Sequence, residues 1–188
     1  LKLGLVTSNK HKLEEYRHGL ERLGVNIELL QADCEEIQTD TLQNVVRSCI
    51  AQLKSEGYRN FMLDDSGLFV PSLNGFPGVY SAYVMDTIGC QGMLRLIDGL
   101  DRKARFECCI GVCSDELGEF SVTGVSPGRI IYEERGSGGF GYDPIFVPEG
   151  GELSFAQMDL ASKNQLSHRG KAMVLLASEI KRRMGKIK

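Results

Sequence analysis

The residues best suited to chemistry in this chain of 188 residues are two adjacent carboxylates, Asp64 and Asp65, followed by Ser66 and Gly67. They follow the apolar run Phe61-Met62-Leu63, which places them where a buried strand ends and a polar cleft begins. Neighbouring carboxylates raise each other's pKa unless a cation or several donors hold them. A pair in that position can ligate Mg²⁺ while part of the ion's water shell stays in place, so metal-assisted hydrolysis is the chemistry suggested. The same four residue types also make an ordinary turn. Downstream, residues 73–82 form a loop punctuated by Gly75, Pro77 and Gly78 with Phe76 and Tyr80 inside it; rigid, apolar loops of this kind usually serve a site or an interface.

Three further stretches gather donors and rings. Thr7, Ser8 and Asn9 can cap a helix, and the first-turn amides, with Lys10, His11 and Lys12, can meet an anion. The glycines of a Walker motif are absent there. Residues 135–146 set four glycines around Phe140 and Tyr142, ahead of Asp143; such a loop permits close approach to the main chain and can hold a ring for stacking on a planar base. Lys163, Ser167, His168 and Arg169 bring several donors together ahead of a final helix, as recognition of phosphate and carbonyl oxygens requires. Each stretch also has a plain structural reading as a cap, a loop with buried aromatics, or a helix start.

These stretches need a scaffold that alternates strands and helices. Residues 3–7 read as a strand, and Leu13, Tyr16, Leu20 and Leu23 fall on one helical face. Residues 25–30 form a second strand, followed by an acidic connection. Asp40 with Gln43 makes a capping-box pattern for a helix with the stripe Leu42, Val45, Val46, Cys49, Ile50 and Leu53. Residues 60–64 deliver the acidic pair, and residues 91–100 suggest a short amphipathic helix. Residues 105–114 and 119–126 alternate around Asp115-Glu116-Leu117-Gly118 as a long hairpin that ends at Pro127-Gly128, with residues 129–132 a further strand. Met173, Leu176, Ala177, Ile180 and Met184 share one face of the last helix, with Ser167 as its N-cap.

At 42% hydrophobic residues the chain can bury a full core in one domain. The lack of a long apolar run or a secretory pattern leads us to expect a soluble, cytoplasmic protein with no membrane partner. A net charge of −3 argues against a general nucleic-acid surface, whereas a small phosphate ligand needs only a local basic pocket. The six cysteines form no CxxC pair, so zinc-ligand spacing is absent. A disulfide framework is possible in principle; several cysteines fall in apolar patterns, and a reducing cytosol is the simpler assumption.

Taken together, Thr7–Lys12, Asp64-Asp65-Ser66-Gly67 with its continuation, residues 138–146, and residues 155–172 resemble the inosine triphosphate pyrophosphatase family. The motifs run in the family's order from Leu3 to the final helix. The resemblance implies an α/β fold with a long central twisted mixed sheet, flanking helices and two lobes around a substrate cleft, usually as a homodimer. It implies hydrolysis of deaminated purine nucleoside triphosphates to monophosphate and pyrophosphate with Mg²⁺ as cofactor. By position, Thr7, Ser8, Asn9, Lys10, His11 and Lys12 hold phosphates, Asp65 is metal ligand and general base, Asp64 assists with metal and Ser66 touches substrate. Phe140, Gly141, Tyr142 and Asp143 form the base pocket with Phe140 stacking, and Lys163, His168 and Arg169 complete recognition. Two departures stand out. Asn44 occupies the position of a metal-binding Glu and Cys49 that of a lysine, while Glu35 or Glu36 could compensate from the preceding loop. Two rival readings are a pyrophosphatase for other modified nucleotides and a nucleotide sensor without turnover.

Overall fold

The computed structural model describes residues 1–7, 10–20 and 23–185, with the side chains of Lys10, His11 and His18 outside that description. Strands β1 (Lys2–Val6), β2 (Asn26–Leu30), β3 (Phe61–Phe69), β4 (Lys103–Ser114), β5 (Gly118–Ile130) and β6 (Phe146–Pro148) form one sheet in the order β2-β1-β3-β4-β5-β6. β2, β1 and β3 run parallel, and every pair from β3 to β6 is antiparallel. The parallel half is linked through α1 (Lys10–Leu20) and α2 (Leu42–Ser55), the crossover that parallel neighbours require. Helices α3 (Ser81–Thr87), α4 (Gly89–Leu96), α5 (Leu160–Leu166) and α6 (His168–Met184) complete the chain. The result is a mixed α/β sheet with flanking helices.

Side chains alternate across a strand, and the sheet uses both faces. On one, Met62, Cys108, Ile110 and Val112 pack against Tyr16 and Leu20 of α1 and Leu176 and Ile180 of α6. On the other, Phe61, Leu63, Cys109 and Cys113 meet α2. The buried residues of α2 are Leu42, Val45, Val46, Cys49, Ile50 and Leu53, the stripe expected from its periodicity. A third core of Leu68, Val84, Met93, Phe106, Tyr142, Phe146 and Phe155 lies toward the far end of β3 and forms a second lobe. The acidic pair sits on β3 between Leu63 of one core and Leu68 of the other.

Three local expectations need correction. β3 does not end at Asp64; it runs on to Phe69, because β4 pairs with it along its whole length. β1 pairs with it only as far as Leu63, so the polar residues beyond have lost one neighbour, and there the cleft opens. β5 passes through Pro127-Gly128 to Ile130 as one strand. Pro127 offers the ladder no N–H, but its carbonyl accepts from the Glu149 amide at 2.8 Å. The cap of α2 is Thr41, whose side chain accepts from the Asn44 amide, in place of the Asp40 box. Ser167 caps α6 as expected, accepting from Gly170 N–H at 3.0 Å.

Two close approaches hold the site elements in position. A Cβ at Gly124 of β5 would overlap the α6 backbone at His168 and Ala172, so only glycine lets the start of α6 press onto the sheet. A Cβ at Gly67 would strike the Gly78 carbonyl oxygen, which binds residues 76–80 to the strand carrying the carboxylates. Among the described residues, no helix is long and apolar enough to cross a membrane.

Candidate active site

Because β3 continues through Ser66, its period of two turns Asp64 and Asp65 to opposite faces of the sheet. Asp64 falls on the face of α1 and α6. Its side chain is fully buried; Oδ1 meets Lys12 Nζ at 3.1 Å in an ion pair without hydrogen-bond alignment, and Oδ2 meets Arg169 Nε at 3.4 Å. Arg169 reaches Glu15 as well, at 3.4 Å. Burial, the largest influence on Asp64, pushes its pKa up, but Lys12 and Arg169 together outweigh it and hold the carboxyl below its usual range.

Asp65 falls on the α2 face. Burial first, then the negative charge of Glu36, pushes its pKa up to about 7, and Asp64 contributes less; the Ser66 amide and the Lys12 charge pull it down but are outweighed. Its Oδ1 accepts from the Ser66 amide at 2.8 Å, while Oδ2 and Ser66 Oγ are buried with no hydrogen-bond partner among the described residues. A cavity of about 890 Å³ is lined by Thr7, Lys12, Glu36, Asp64 and Asp65, so both carboxylates border one space.

Asn44 is not drawn to these carboxylates. Its amide donates to Thr39 Oγ1 at 3.2 Å on an exposed part of α2. Glu36, from the loop between β2 and α2, faces Asp65 instead, whereas the Glu35 amide is tied to Gln52 Oε1 at 2.9 Å. Among the described residues no three carboxylates, histidines or cysteines converge as a closed metal cage. Mg²⁺ is commonly held by one or two carboxylates plus substrate phosphates, so the unpartnered Asp65 Oδ2 with Glu36 fits that ion. Ser8 and Asn9 lie outside the described residues, and Lys10 and His11 are placed only as the first turn of α1.

A second cluster of candidate residues comes from the glycine loop, α5 and α6. Phe140 is 46% exposed, with Lys163 Nζ 4.8 Å and Arg169 Cζ 5.5 Å from its ring centre. Asp143 clamps this corner, accepting from Lys163 Nζ at 2.6 Å and from the Phe140 amide at 2.8 Å. Gly141 turns at φ 59°, and its carbonyl accepts weakly from Cys90 Sγ. Tyr142 points away into the second lobe: it is buried, and its hydroxyl donates to the Ser81 carbonyl at 2.9 Å. His168 stacks on Phe106 at 4.6 Å with an unpartnered Nδ1. Burial, with help from Arg169 and Lys163, holds its pKa well below the ordinary value, so it is neutral.

Two participants escaped the sequence reading. Glu15 holds Arg169, and its signal was present, since it lies three residues beyond Lys12 on the same helical face. The second is a disulfide between Cys34 and Cys49, whose sulfurs join the loop carrying Glu36 to α2. The expectation of reduced, independent cysteines holds for Cys90, Cys108, Cys109 and Cys113, all buried.

The Ham1 family model matches residues 3–179 of this sequence. The chain belongs to the Ham1 family. It is 49% identical over 182 residues to a dITP/XTP pyrophosphatase of Thermococcus kodakarensis, covering 96% of this chain and 98% of that protein. It is 48% identical over 174 residues to the dITP/XTP pyrophosphatase of Pyrococcus horikoshii, covering 92% of this chain and 93% of that one. Among solved Ham1 structures, the protein from Coxiella burnetii superposes with a TM-score of 0.85 at 30% identity, covering 97% and 99% of the two chains. A dITP/XTP pyrophosphatase from Mycobacterium abscessus gives a TM-score of 0.72 at 33% identity, covering 94% and 97%.

Proposed function

We infer that this protein hydrolyses deaminated purine nucleoside triphosphates, ITP, dITP and XTP, to the monophosphate and pyrophosphate, and so clears them from the nucleotide pool. Membership of the Ham1 family, with relatives of that named activity, supports the reaction. The observation that carries the reading is the placement of Asp65, whose buried Oδ2 has no partner among the described residues, on the cavity that Lys12 and Glu36 also line.

Lys12 and the N-terminal amides of α1 take the triphosphate, the usual role of a helix start toward phosphate. Asp64 does not act on the substrate; it fixes Lys12 and Arg169 between α1, β3 and α6. Asp65 accepts the proton of a water that attacks the α-phosphorus, the α–β anhydride bond breaks, and pyrophosphate leaves. In the metal-free site the pKa of Asp65 is pushed up to about 7, the range suited to a general base at neutral pH. Asp65 and Glu36 would hold Mg²⁺, which when bound would supply charge neutralisation on the phosphates. Phe140 stacks on the purine beside Lys163 and Arg169. Both cations are pure donors; a keto oxygen at the six-position can accept from them, whereas adenine's amino group meets donor with donor and is rejected.

The test is pyrophosphate release from dITP, XTP, GTP and ATP, with Mg²⁺ and with EDTA. Preference of at least about a hundredfold for dITP and XTP over ATP, lost in EDTA, is expected; equal hydrolysis of ATP would overturn the base assignment, and binding without release the reaction. The protein is further proposed to act in the cytoplasm as a homodimer, with the exposed aromatics Phe76, Tyr80 and Tyr83 at the interface.

A further inference from the structure

The segment between β2 and α2, residues 31–41, forms neither helix nor strand, and most of it is exposed. Between Gln31 and Asp40 the hydrogen bonds to α2 among the described residues are the Glu35 amide to Gln52 Oε1 at 2.9 Å and the Asn44 side-chain amide to Thr39 Oγ1 at 3.2 Å, beside the packing of Ala32 and Cys34 on the core and ahead of the Thr41 cap. This segment nevertheless carries Glu36, which lines the cavity with Asp65. Its firmest anchor is the Cys34–Cys49 bond, which closes a loop with a sequence separation of 15 and a Cα–Cα distance of 5.3 Å. Both cysteines line the same cavity as Glu36 and Asp65. The bond thus joins a wall of the candidate active site to the helix beside it.

We propose that the Cys34–Cys49 disulfide is a redox switch that sets nucleotide affinity: oxidised, it holds the Glu36 loop against α2 in the binding arrangement; reduced, it releases that loop. The proposal rests on the functional reading above, because it acts on that site. Cys34 is half-buried, whereas Cys49 lies in the core against β3, so a dithiol reaches Cys34 first. Its thiolate attacks Cys34 Sγ, the Cys34–Cys49 bond breaks, and Cys49 leaves as a thiolate that takes up a proton. The second thiol of the reductant then displaces Cys34, leaving two protein thiols and one oxidised dithiol. If the freed loop occupies its binding position about a tenth of the time, apparent affinity falls about tenfold.

The experiment compares the full chain after treatment with oxidised or reduced dithiothreitol, each removed before assay. Alkylation in denaturant should label Cys90, Cys108, Cys109 and Cys113 in the oxidised form and also Cys34 and Cys49 in the reduced form. Labelling of all six after either treatment overturns the proposal. The KM for dITP should rise about tenfold on reduction, and Cys34→Ser should show the raised KM under both conditions; an equal KM in both forms of the wild type overturns the switch. Hydrogen exchange supplies a readout that needs no turnover. The Glu35 amide should lose protection on reduction, and unchanged protection overturns the release. Absence of hydrolysis in both forms would instead overturn the functional reading, leaving exchange to decide the switch.

Discussion

Replacing Asp65 with Asn should stop turnover and at the same time stabilise the metal-free protein. Asp65 is buried, feels the charge of Glu36 and has one oxygen without a partner among the described residues. Shifting its pKa from 3.8 to about 7 corresponds to about 4 kcal/mol by the usual conversion, an upper bound that relaxation and water entry reduce to about 2 kcal/mol. The sign follows from the direction of the shift. Near pH 4 and below, the native carboxyl keeps its proton and no penalty exists. As pH rises toward 7 the unfolded chain gives up this proton more readily than the native one, so the wild type loses stability relative to Asp65→Asn; above about 7 the loss is complete. Asn keeps an oxygen for the Ser66 amide and carries no charge. In EDTA at pH 8 the variant should therefore melt about 4–8 °C above wild type for a chain of this size, and the two curves should converge toward pH 4. Pyrophosphate release should fall by at least about a hundredfold. A melting difference independent of pH would refute the burial argument, and hydrolysis within tenfold of wild type would refute the role of Asp65 as base.

The remaining predictions concern the second cluster and the surface. His168 is buried and neutral in the fold, so below its ordinary value of 6.5 the unfolded state takes up a proton that the native state refuses. Wild type should then lose about 1.4 kcal/mol per pH unit relative to His168→Gln, seen as diverging urea midpoints between pH 6.5 and 5; parallel midpoints would mean that the imidazole is solvated. Phe140→Ala should raise the KM for dITP about tenfold through lost stacking while the melting temperature stays within about 2 °C, because the ring is half-exposed; an unchanged KM would remove Phe140 from the base site. Tyr83 is 70% exposed, and Tyr83→Lys should convert the proposed dimer to monomer in light scattering. A wild type that is itself monomeric at micromolar concentration would refute the dimer.

Much of the scaffold could be read directly from the chain, because it depends on local periodicity. The stripe of α2, the Ser167 cap and the alternation that makes β4 and β5 a hairpin are written in residues close together, and burial realised them as patterned. Of the candidate site residues, Asp64, Asp65 and Lys12 line one cavity, and Lys163 and Arg169 lie beside the Phe140 ring. Their division of labour was not legible. Whether Asp64 and Asp65 act as a pair depends on where β3 stops, and Ser66-Gly67 read locally as a turn; pairing with residues more than forty positions away in β4 keeps the strand extended and sends the two side chains to opposite faces. Tyr142 looks like a site ring next to Phe140, yet the Ser81 carbonyl claims its hydroxyl inside the second lobe. Six cysteines permit fifteen complete pairings, and more with some left free, so nothing short of the fold could bring Cys34 and Cys49 together. Local sequence determined which groups are present and on which elements; long-range pairing decided which of them share a face, a charge partner or a covalent bond, because those relations depend on distance in space and carry no local signal.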